Sequence, residues 1–138
     1  MSDQGPDLET LRSYFARDAF ANACGIELIE ASDGHAVARV TIDEKHLNGI
    51  GLAHGGLLFT LADLAFAAAV HTRGRVAVSI NNAITYVKAA QGGTLKAEAT
   101  EVSRNNRLAS YTVNILNEAG EIIALFQGLA YVKAQKLP

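Results

Sequence analysis

HGGLLFTLADLAFAAAVH, residues 54–71, is the stretch whose reading decides the fold. After Gly55 and Gly56 it holds no proline, no further glycine and one formal charge, Asp63. From Leu57 to Val70 nearly every other residue is apolar or small, on all sides of a helical wheel. A helix that is hydrophobic all round is a buried helix. Interrupted by Asp63, this one is too short to span a bilayer. The stretch therefore predicts a central helix wrapped by the rest of the chain, with a carboxylate in its middle. Taking an ionised carboxylate out of water is costly unless something compensates it, so Asp63 is the first candidate for chemistry. The alternative is that it lies where the helix meets solvent, or is held by backbone donors.

Upstream, the loop DEKHLNGIGLA (residues 43–53) leads into the helix start. Before it, residues 26–31 and 36–42 read as two strands joined by a turn at Ser32, Asp33 and Gly34. Residues 1–6 read as a loose arm. Asp7 is placed to cap a helix, and Leu8, Leu11, Phe15, Ala19 and Ala23 recur at spacings of three and four. That stripe predicts one amphipathic helix, ended by Gly25. Downstream of the central helix, four strand-like runs cover residues 76–87, 94–102, 108–116 and 122–132. Their short connections predict antiparallel hairpins. The last run is apolar on both faces, so one face is left to cover in a monomer, which predicts a homo-oligomer.

The 138 residues suit one domain, 1–138, with neither repeat nor linker. An apolar fraction of 49% against 19% charged marks a globular chain. A formal net charge of −2 gives no reason to expect nucleic acid. One cysteine, Cys24, forms no internal disulfide and offers no metal cluster. The polar, acidic start MSDQGPDLET lacks the pattern of a secretory signal, so a cytoplasmic location is expected, with no membrane partner. Neither a Walker loop nor a dinucleotide fingerprint is present, and no metal or cofactor is expected.

The order helix, two strands, glycine-rich loop, long buried helix and four antiparallel strands, with HLNGIGLAHGGLLFTLADLAFA, resembles the α+β hotdog fold of acyl-CoA thioesterases. The phenylacetyl-CoA (PaaI-type) family is the closest in pattern, over residues 11–134. The combination of Asn48, His54-Gly55-Gly56 and Asp63 at this spacing is the specific part, supported by Ala83-Ile84-Thr85-Tyr86 and Gly92-Gly93-Thr94-Leu95.

The resemblance implies hydrolysis of aryl- or acyl-CoA thioesters. Two other readings stay open on the same fold: a non-catalytic acyl-CoA-binding module, and a dehydratase using His54 with Asp63. In the hydrolase reading the Gly55 or Gly56 N–H, at a helix N-terminus, stabilises the oxyanion. Asp63 activates water or attacks the carbonyl itself. By helix rise it lies about 10 Å from Gly56, so the family's solution is implied: the acid works on a thioester held at a partner protomer's glycines, in a dimer or a dimer of dimers. Asn48 offers an amide to the thioester oxygen or to water, or else only a turn beside Gly49. His54 orients the loop. Ser79 or Asn81 holds the attacking water. Arg73, Arg104, Asn105 and Arg107, with Arg75 nearby, are turn residues suited to coenzyme A phosphates, or are simply solvated. Phe59, Phe66 and Tyr86 line an aryl pocket or pack the core.

Overall fold

A computed structural model describes residues 5–138. The expected arm at residues 1–6 therefore lies largely outside the described residues. The elements are α1 (Leu8–Phe15), α2 (Ala19–Ala23), β1 (Glu27–Ser32), β2 (His35–Thr41), a single 3₁₀ turn (Glu44–His46), α3 (Gly55–His71), β3 (Arg75–Tyr86), β4 (Thr94–Arg104), β5 (Leu108–Leu116) and β6 (Ile122–Lys136). Six strands form one antiparallel sheet in the order β1-β2-β4-β5-β6-β3. It curls around α3. This is the hotdog architecture.

The helix and sheet meet through small residues. Ala62, Ala65, Ala68 and Ala69 of α3 are fully buried, as are Ala36 and Ala38 of β2 and Ala97 and Ala99 of β4. Methyl groups on both sides let the helix lie close to the strands. At the other side the fit is by shape. Gly128 of β6 has no side chain, and the Phe66 ring fills the space; a Cβ there would sit 2.7 Å from Phe66 Cζ. Phe66 also packs edge-on against Tyr111, with ring centroids 5.6 Å apart, and tilted against Phe126 at 5.8 Å. The far end of α3 is tied down by Thr72, whose hydroxyl donates to Ala69 O (2.7 Å) and accepts from Gly34 N (2.8 Å). Gly34 belongs to the Asp33-Gly34 turn, where φ is +49° and +79°, the left-handed pair that a two-residue hairpin requires.

Two expectations are corrected. Residues 8–23 are not one helix. Asp7 caps α1 by accepting from Thr10 N (2.9 Å), and Asp18 starts α2 by accepting from Ala21 N (3.0 Å). Ala21 is buried, while Ala19 and Ala23 are exposed. Single methyl groups offered too little apolar area to hold the stripe in phase, and the Asp18 carboxylate restarts the helix. The hairpin pattern also fails once. β4–β5 and β5–β6 pair as expected, but β3 pairs with β6, from Arg75↔Lys136 to Tyr86↔Ala124, and β4 pairs with β2. The segment after β3 is held away from β3: Val87 N and Lys88 N donate to Ile123 O, Ala90 O accepts from Ala53 N, and Gly93 O accepts from Ile42 N. It thus carries the chain from the sheet's edge to its middle, leaving β6 with a neighbour on each side.

Candidate active site

Asp63 faces a cleft of about 150 Å³ bounded by Phe66, Ala67, Val70 and His71 of α3, by Ala77, Val78 and Ser79 of β3, and by Ala130 of β6. Its carboxylate is largely buried and accepts no hydrogen bond from any described residue. Burial holds its pKa above the ordinary carboxylate range, and the nearby Asp18 charge adds to the effect. A base in such a setting is stronger than one in water. His71 closes the same cleft but is not free to act. Its Nδ1 donates to Ala67 O (2.6 Å) and its Nε2 accepts from Ala77 N (3.2 Å), and burial lowers its pKa, so the ring is held neutral.

Ser79 shares this cleft, whereas Asn81 does not. The β3–β6 register shifts between Ser79 and Asn81, and this bulge turns Asn81 to the outer face of the sheet, beside Ala83, Val102, Ser110 and Gln127. Of the two, only Ser79 lies with Asp63.

The glycines lie elsewhere. Asn48, Leu52, Gly55, Leu58, Tyr86 and Lys88 line a separate cleft of about 390 Å³, and Gly55 precedes Asp63 by about 12 Å along the helix axis. His54 is the N-cap of α3, and its Nδ1 accepts from Gly56 N (2.8 Å). The Gly56 N–H is therefore committed. The Gly55 N–H has no acceptor among the described residues and is the amide at liberty. Asn48 braces the loop: its Oδ1 accepts from Ile50 N and Leu52 N, each at 3.0 Å, leaving its NH₂ unbonded to any described residue. The His54 N–H donates to His46 O (2.8 Å). His46, nearly fully buried, is itself locked between Asp43 N (2.9 Å to Nδ1) and Cys24 O (2.6 Å to Nε2).

The arginines divide. Arg73 is held by Glu101 (2.9 Å), which lowers the Glu101 pKa and raises that of Arg73. Arg104 turns inward to Val70 O (3.3 Å) and the Tyr111 hydroxyl (3.4 Å). Asn105 folds its own turn, its Oδ1 accepting from Arg107 N and Leu108 N, each at 2.9 Å. Arg107 instead joins Arg75 and Asn106 around a cleft of about 400 Å³ beside Tyr131 and Val132. Its Arg75 and Val132 stand two positions along β3 and β6 from Ala77 and Ala130 of the Asp63 cleft.

The sequence reading did not find the part played by Tyr86. Its hydroxyl donates to Gly55 O (3.1 Å). The available signal was its alternation with Ile84 on the helix-facing side of β3. Phe66 lines the Asp63 cleft while packing the core; Phe59 packs edge-on against Phe126, centroids 5.4 Å apart.

Residues 50–124 match the thioesterase superfamily. The acyl-coenzyme A thioesterase PaaI of Escherichia coli is 34% identical, over 89% of this chain and 89% of that protein. The solved structure of the E. coli PaaI protein from the phenylacetic acid degradation operon superposes with a TM-score of 0.89 at 32% identity, covering 94% of this chain and 95% of that one. A hypothetical thioesterase protein from Streptococcus pneumoniae, solved with coenzyme A, superposes with a TM-score of 0.84 at 28% identity, covering 91% of this chain and 98% of that one. No helix among the described residues is long and apolar enough to cross a membrane.

Proposed function

The chain belongs to the thioesterase superfamily and hydrolyses acyl-CoA thioesters, and from that premise we propose that its site is completed by two protomers and prefers arylacetyl groups. The observation that carries this reading is the separation of Asp63 from Gly55 into two clefts on one helix. Neither half serves alone, and the Asp63 cleft falls below the usual 300–1,000 Å³ of a small-molecule site. β3 supplies the means of joining them. It is one of the sheet's two edges, with Val78, Ile80 and Tyr86 between 43% and 54% exposed, and a long apolar edge invites pairing. Antiparallel pairing of two β3 strands about a two-fold axis sets the Ser79 end of one against the Tyr86 end of the other. The Asp63 cleft then meets the partner's Gly55 cleft. The outer faces of β5 and β6, where Leu108, Leu125 and Tyr131 are 40–42% exposed, offer a surface for a dimer of dimers.

In this site the thioester oxygen lies at the Gly55 N–H with the Asn48 NH₂ nearby, and Asp63 acts from the other protomer. As general base it takes a proton from water held by Ser79; the water oxygen attacks the carbonyl carbon. As nucleophile it bonds to that carbon itself, and water then cleaves the anhydride. In both, the negative charge passes to the carbonyl oxygen, returns to expel the thiolate, and the thiolate is protonated. Preorganised donors at that oxygen are worth about 3 kcal/mol each.

Arg107, with Arg75, holds the coenzyme A phosphates; Arg73, Arg104 and Asn105, the other turn residues expected in that role, are engaged within the fold. Phe66 at the cleft wall, and the likeness to a protein of a phenylacetic acid degradation operon, favour an aryl group. The several phosphates of the substrate, which keep it from crossing bilayers, favour a cytoplasmic site of action. The test is thiol release from phenylacetyl-CoA, straight-chain acyl-CoA and phenylacetyl-pantetheine. Phenylacetyl-CoA is expected to be preferred about tenfold over the straight chains. Arg75→Ala with Arg107→Ala is expected to raise KM for the CoA ester about tenfold and leave the pantetheine ester unchanged. Equal turnover of all acyl groups contradicts the aryl preference, and an unmoved KM contradicts the phosphate assignment.

A further inference from the structure

We infer that Tyr86 is a positioning residue for the oxyanion donor, acting with His54 to hold a single peptide group. The inference rests on the thioesterase reading. Helix α3 begins with two glycines, and glycine rotates about φ and ψ with little steric restraint. A donor built on such a backbone needs holding from outside. The Gly55–Gly56 peptide is held at both ends: Tyr86 Oη donates to its carbonyl oxygen at 3.1 Å, and His54 Nδ1 accepts from its N–H at 2.8 Å. With that plane fixed, rotation at Gly55 is stopped, and the preceding N–H, the unbonded one, keeps its aim into the cleft that Asn48 and Tyr86 line. The closeness of the contact also explains why residue 55 bears no side chain. A Cβ would lie 2.9 Å from Tyr86 Oη and 3.0 Å from Cζ.

The two holding groups come from different elements, the tyrosine from an edge strand and the histidine from the N-cap. Neither touches the reacting carbonyl. Their effect falls on kcat, because an oxyanion exists only after attack. Tyr86→Phe keeps the ring and removes the hydroxyl. It is expected to lower kcat about tenfold, with KM within twofold and the melting temperature within about 2 °C. His54→Ala is expected to lower kcat by a similar factor, with His54→Asn, another capping acceptor, restoring part of it. Because both residues hold one peptide, the double variant loses less than the product of the single losses. Wild-type kcat in Tyr86→Phe, a loss confined to KM, or single losses that multiply would each overturn the inference while leaving the thioesterase reading intact. Absence of acyl-CoA turnover by the wild type in the same assay would overturn both.

Discussion

Asp63→Asn is expected to lower kcat by about 10³-fold or more while raising the melting temperature at neutral pH by about 3 °C. The first effect follows because the amide neither accepts a proton from water nor attacks a carbonyl. KM stays within a few-fold, since Asn fills the same space. The second effect follows from the sign of the pKa shift. Burial raises the Asp63 pKa in the fold above its ordinary 3.8. The group therefore favours the folded state only below that value, where it is protonated. This contribution is lost as pH rises through the raised folded pKa, so at pH 7 the buried charge opposes folding. Asn removes the charge and its cost. The stability gain shrinks as pH falls through the raised pKa and the wild-type carboxyl takes up its proton. Thiol-release kinetics with thermal melts over a series of decreasing pH check both halves. Turnover within a few-fold of wild type removes Asp63 from the chemistry, and a lower melting temperature contradicts the uncompensated charge.

Gly55→Pro is expected to lower kcat by about 10²–10³-fold, well beyond the effect of Gly55→Ala. Proline lacks the N–H proposed as oxyanion donor. Its ring suits the first position of a helix, and His54 already has the extended backbone that precedes proline, with φ −62° and ψ 137°. Alanine meets Tyr86 as proline does but keeps the N–H, so it measures the cost of crowding alone, about tenfold in kcat. Far-ultraviolet circular dichroism of both variants verifies that α3 persists. Equal losses in the two assign the effect to Tyr86 displacement and not to the amide.

The central helix was legible because its apolar residues lack periodicity and its one charge stands out against them. The β1–β2 turn was legible because Asp33-Gly34 is a left-handed pair. Local signals failed where partners distant in sequence decide. Nothing near residues 75–86 says that β3 will seek β6 across some forty residues, and nothing near Asp18 outweighs a weak alanine stripe except the cap itself. The bulge that sends Ser79 and Asn81 to opposite faces arises from the pairing with β6. Arg73 and Arg104 read as free turn cations because Glu101, Val70 and Tyr111, which engage them, lie far along the chain. Asp63, Asn48 and the HGG motif stood out in the sequence as candidates; the Tyr86 hydroxyl did not, because only the fold brings it to Gly55.

The most direct measurement of the two-protomer site is complementation. Asp63→Asn and Gly55→Pro chains, each nearly inactive alone, are co-expressed with distinct tags and the mixed oligomer is purified. A mixed dimer holds one intact site of its two, so turnover near half of wild type is expected. A mixed oligomer no more active than its two parents would mean that acid and amide act within one chain, and the account would be wrong.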